Sequence, residues 1–101
     1  MAELDDEQKV KQKGTLDNIR RRRELFDTAK VLSTIEGRRF YWRWLQRCGV
    51  FRSSFTGNNT TFFNEGERNI GLEMLADVNE ADPEKYLLML TESQLEERKN
   101  G

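Results

Sequence analysis

Apolar side chains recur along this chain at three- and four-residue intervals, and β-branched alternation is scarce, so helix is the expected state of each long segment. Leu16, Ile19, Phe26, Ala29 and Leu32 trace a first helix over about 15–33, with Thr15 as its candidate N-cap. Phe40, Tyr41, Trp44, Leu45 and Cys48 trace a second over about 34–48, which Gly49 is placed to stop. After a connection with turn chemistry (Arg52-Ser53-Ser54 and Gly57-Asn58-Asn59), a third helix over about 61–79 shows the clearest period, through Phe63, Gly66, Ile70, Gly71, Met74, Leu75 and Val78. Asp82-Pro83-Glu84 reads as an N-cap followed by proline at the first helical position, opening a fourth helix over about 83–98.

This pattern predicts an all-α fold, a small helical domain of three to four helices with charged, mobile termini. Residues 1–14 form a charged N-terminal tail, 15–91 the helical domain, and 92–101 a charged C-terminal tail. Matching the apolar faces of three helices gives an expected core of Phe26, Phe40, Trp44, Leu45, Phe63, Ile70, Met74 and Leu75. Gly66 and Gly71 inside a helix each cost up to about 1 kcal/mol of propensity, and close approach of large neighbouring side chains is the expected compensation.

The second helix is the most informative stretch. With Phe40, Tyr41, Trp44 and Leu45 pointing to the core, Arg38, Arg39, Trp42, Arg43, Gln46 and Arg47 point largely the other way. Trp42 then sits among cations, where Arg38 or Arg39 can stack on its ring. Tryptophan and arginine dominate interface hot spots, so Arg38, Arg39, Trp42, Arg43 and Arg47 are the expected partner-binding residues; packing of Trp42 on the first helix or a tail is the competing reading.

Composition sharpens the picture in two ways. In 101 residues, 36% are hydrophobic and 35% charged, which allows one modest core and leaves part of the chain solvated. The formal charge of −1 conceals two opposed halves. Between Arg20 and Arg52 ten basic residues face three acidic ones; between Asn64 and Arg98 the counts are reversed. With a pI near 5.6 the chain is not a dedicated nucleic-acid binder, and weak or no binding is expected. The run Arg20-Arg21-Arg22-Arg23 spreads around nearly the whole circumference of a helix and has Glu24 and Asp27 within salt-bridging reach. The opposed halves also permit self-association, or neutralisation within one molecule.

The same sequence argues against catalysis. Histidine is absent, and the single cysteine, Cys48, has no such base to activate it; its place on an apolar face reads as a small core residue made in a reducing cytoplasm. Glu73 and Asp77 are the best-spaced carboxylates, but a solvated acidic face explains them more simply than a bound cation. No enzyme activity, cofactor or metal is expected, and no segment is apolar for the roughly 20 residues that a membrane span requires.

Gly37-Arg38-Arg39-Phe40, Trp42-Arg43, Gly49-Val50-Phe51, Ser54-Phe55, Phe63-Asn64-Glu65-Gly66 and Arg68-Asn69-Ile70-Gly71-Leu72 together resemble a family of small tailed-phage proteins encoded among head and portal genes. The resemblance spans about residues 25–92 and brings no catalytic residues with it. What it implies is a virion protein, made in the host cytoplasm, that coats an internal surface such as the portal or is packaged and ejected with DNA. The expected function is therefore a virion structural or internal head protein binding portal or other head proteins in multiple copies. A DNA-binding packaging or regulatory accessory, or a small inhibitor of a host enzyme, is the alternative.

Overall fold

In the computed structural model, which describes residues 5–52 and 60–100, four helices follow one another: α1 (Asp6–Leu32), α2 (Ile35–Arg47), α3 (Thr60–Ala81) and α4 (Glu84–Asn100). No strand occurs among the described residues, as the all-α expectation holds. The first four residues, the last one, and the turn-rich stretch 53–59 lie outside the described residues.

Capping chemistry sets the helix ends. α1 begins at Asp6 rather than near residue 15, because Asp5 and Gln8 form a capping box: the Gln8 N–H donates to the Asp5 carboxylate at 2.7 Å and the Asp5 N–H to the Gln8 side chain at 3.2 Å. Thr15, the expected N-cap, lies inside the helix and donates its hydroxyl to the Lys11 carbonyl at 3.0 Å. At the start of α2, Thr34 accepts the Gly37 N–H at 3.1 Å. Its end is a Schellman motif. Gly49 adopts a φ of 77°, its N–H donates to Gln46 O at 3.0 Å, and the Val50 N–H reaches back to Leu45 O at 3.3 Å. Gly49 thus stops α2 as its position in the sequence suggests. At the α3–α4 corner the Asp82 N–H continues the helical ladder to Val78 O at 2.8 Å, and Asp82 O accepts from Lys85 N at 3.1 Å.

The core takes one fully buried side chain from each helix: Leu32, Leu45, Val78 and Met89. Each contributes roughly 1.5–3 kcal/mol on burial. Tyr41, Trp42, Val50, Met74, Leu75 and Tyr86 pack around them. Leu45, Met74 and Leu75 therefore lie where the helical pattern places them. Phe26, Phe40, Trp44, Phe63 and Ile70 do not: all five are exposed, Phe63 at 68%. Amphipathic spacing locates a stripe but not which stripe faces inward when a helix carries apolar groups on more than one side, and four buried side chains leave no room for five more rings and branches.

Close approach is the reason for one helical glycine and not the other. A Cβ on Gly71 would run into the Val50 side chain and come within 2.7 Å of the Cys48 Cβ, so α3 packs tightly on the turn that ends α2. A Cβ on Gly66 would meet nothing within 4 Å among the described residues. Gly37 fixes the α1–α2 corner, since a Cβ there would collide with the Val31 carbonyl. The resulting molecule is a thin slab of 68 × 39 × 16 Å with a Cα radius of gyration of 18.6 Å, against about 13 Å for a compact chain of this length.

Candidate partner-binding face

α2 touches α1, α3 and α4, and its rotation about its own axis decides which of its aromatic and basic residues face solvent. Leu45 is fully buried, and Tyr41 and Trp42, four and three residues before it, join it on the inner side. The Tyr41 hydroxyl donates to the Met74 carbonyl at 3.1 Å; burial, and next the charge of Asp77, push its pKa up to about 12.

Arg38 belongs to this inner side as well. Its Nε donates to Glu92 at 2.7 Å, a second guanidinium nitrogen reaches the other Glu92 oxygen at 3.3 Å, and the third donates to the Leu32 carbonyl at 3.0 Å. One side chain therefore closes the C-terminus of α1 and ties α2 to α4. The hydrogen bond to Glu92 holds the guanidinium pKa above its usual value.

Trp42 is half-buried between α2 and α4, its ring 5.0 Å from Phe51 and 6.2 Å from Tyr86. Its buried Nε1–H has no hydrogen-bond partner among the described residues. The expectation of an outward tryptophan bracketed by cations is thus corrected: Trp42 follows Leu45 inward, and no cation stacks on it among the described residues. Arg38, expected on the same outward face, is committed to Glu92.

The outer side carries the cation–π contacts instead. The Arg43 guanidinium lies 5.3 Å from the centre of the Phe40 ring, and the Arg47 guanidinium 5.2 Å from that of Trp44. The two rings are 6.4 Å apart and inclined at 59°. Phe40, Arg43, Trp44 and Arg47, spaced i, i+3, i+4, i+7, make one solvent-facing row, with Arg39 exposed beside it. Of the sequence-predicted binding residues, the structure keeps Arg39, Arg43 and Arg47 at the surface and half-buries Arg38 and Trp42, which line a cleft between α2 and α4 together with Arg39 and Arg43. Phe40 and Trp44 are the residues the sequence reading missed. The signal was there: each is followed three residues later by an arginine, the spacing at which a guanidinium reaches back over a ring.

Elsewhere, the opposed charges meet within one molecule. Arg21, alone of the four-arginine run, reaches α3, with contacts of 2.8 Å to Asp77 and 2.8 Å to Glu80 as well as 3.1 Å to Glu24 in its own helix. These partners, Glu80 foremost, raise its pKa. Asp77 is therefore committed to Arg21 while Glu73 remains exposed, and no cluster able to hold a metal ion forms among the described residues. Cys48 is half-buried against Gly71. No described helix is long and apolar enough to cross a membrane.

No curated protein and no solved structure matches the chain. A family of phage proteins, described as Bbp19-like phage protein, matches residues 23–91, a span that takes in part of α1, all of α2 and α3, and the first part of α4. On that match over most of its length, the chain belongs to the Bbp19-like phage protein family.

Proposed function

We propose that this phage protein is a non-enzymatic virion component that binds portal or other head proteins in several copies, docking through the outer face of α2. The observation that carries the reading is the row Phe40, Arg43, Trp44 and Arg47: two large rings held in place by their own arginines and left facing solvent. Rings and guanidinium groups fixed before binding lose little side-chain entropy on docking, and these are the residue types that anchor interfaces. A core of four buried side chains cannot shelter them, so a partner is the natural cover.

The test is mass spectrometry of purified particles, with copy number, for wild type and Trp44→Ala. The wild-type protein is expected in several copies. Removing an anchor worth about 2 kcal/mol lowers affinity roughly thirtyfold and depletes the variant from particles, while its helical content and melting temperature stay near wild type. Absence of the wild-type protein from particles would sink the virion reading. Normal incorporation of Trp44→Ala would remove the docking role of this face.

A further inference from the structure

The exposed side of α1 and the first half of α3 fit one another, though in one molecule they do not meet. On α1, Leu16, Ile19, Arg23 and Phe26 follow the alternating three–four spacing of a coiled-coil seam, and all four are exposed. This outer stripe lies across the helix from Arg21, the residue that ties α1 to its own α3. Every residue from Asp5 to Arg20 is exposed too, so about half of α1 has no cover within the molecule.

On α3, Phe63, Gly66, Ile70 and Glu73 repeat the same spacing. They continue, toward the helix start, the face on which Asp77 and Glu80 receive Arg21. All are exposed, Ile70 at 59%. Gly66 at the middle, flanked by Phe63 and Ile70, is a notch with open space above it, and nothing among the described residues explains a glycine there. Neither Arg23 nor Glu73 makes an ion pair among the described residues.

We propose that a second copy of this chain covers this surface, its α1 outer stripe seating on the first half of α3 with Arg23 opposite Glu73 and an apolar side chain in the notch at Gly66. Three observations select a second copy over a foreign protein. The receiving face is continuous with one that an α1 helix already occupies, the two stripes share one spacing, and the charges are opposite, as in the Arg21 contact to Asp77 and Glu80. The contact is heterologous: each copy offers one stripe and one notch, so association runs head to tail into a ring or an open chain. It goes beyond the virion reading and uses a different face from the α2 row.

Sedimentation of the full chain from micromolar to millimolar concentration tests it. Wild type is expected to associate with rising concentration. Arg23→Glu and Glu73→Arg should each weaken association about tenfold, and the double variant should restore it. Gly66→Gln, whose Cβ has open space around it among the described residues and which favours helix, should weaken association while keeping helical content and melting temperature. Trp44→Ala should associate as wild type does, so that its loss from particles and a loss of self-association are separable results. A wild-type chain that stays monomeric throughout, or association that ignores Arg23→Glu, Glu73→Arg and Gly66→Gln alike, would overturn the proposal.

Discussion

On the inner side of α2, Arg38 and Trp42 are held by neighbours from other parts of the chain, whereas on the outer side Phe40, Arg43, Trp44 and Arg47 are held only by one another. The two sides carry the same kinds of residue. What separates them is the supply of partners. The inner arginine finds a carboxylate on α4 and the Leu32 carbonyl at the end of α1, and the inner tryptophan finds Phe51 and Tyr86. The outer residues find no such partners, and stacking within the helix is the arrangement left to them. Arginine beside an aromatic is thus as well suited to building a fold as to leaving a docking surface, and the geometry around it decides which.

The largest expected effect that tests this difference is on stability. Leu45→Ala empties a fully buried position and should cost about 3 kcal/mol, a large part of what a small domain possesses. Trp44→Ala, though it removes a larger side chain, should cost less than about 1 kcal/mol because the residue is 39% exposed and lies outside the buried cluster. Urea denaturation of the two variants side by side measures both. A costlier Trp44→Ala would mean that α2 is rotated from the orientation described.

That rotation is also what the sequence did not disclose. The existence of the four helices was legible from spacing, and the cap at Thr34, the stop at Gly49 and the break between α3 and α4 at Asp82-Pro83 could be read from turn chemistry because such signals are local, although α4 begins at Glu84, one residue past the proline. The early start of α1 was readable in principle from Asp5 and Gln8, but a segment with few aliphatics looks like a tail unless its cap is weighed. The facing of α2 was not readable at all from its own residues. Its segment bears rings at Phe40, Tyr41, Trp42 and Trp44, so several rotations bury comparable area, and the choice is made by Leu32, Val78 and Met89 from distant parts of the chain. The same holds for Gly71, whose neighbours Cys48 and Val50 lie far back in sequence.

A smaller difference should separate the arginines. Arg38 has a side chain only 14% exposed and serves both Glu92 and the Leu32 carbonyl, so Arg38→Ala strands two acceptors and should cost about 1–2 kcal/mol. Arg43→Ala removes an exposed stacking contact and should stay within about 0.5 kcal/mol of wild type. Thermal melts of the two variants at equal ionic strength resolve the difference, and equal losses would deny that Arg38 is the structural member of the pair.

The smallest effect concerns the other polar group on the inner side, the Tyr41 hydroxyl, and shows only at high pH. Burial favours the neutral phenol and Asp77 opposes the phenolate, so the folded chain keeps this proton until about pH 12, whereas an unfolded chain releases it near the ordinary tyrosine value of 10.0. Between those two values the folded state binds more protons than the unfolded state, and stability must fall as pH rises. Below the unfolded value the contribution is fully present. Tyr41→Phe removes the titrating group and, with it, the hydrogen bond to Met74, so the variant should be about 1 kcal/mol less stable at neutral pH. The gap should then shrink as pH climbs above 10, because only the wild type has this proton to lose. Denaturant midpoints for the two proteins, taken from pH 8 upward, give the comparison directly. Parallel curves would show that the hydroxyl is solvated, and with it that the inner side of α2 is more open than the contact with Met74 implies.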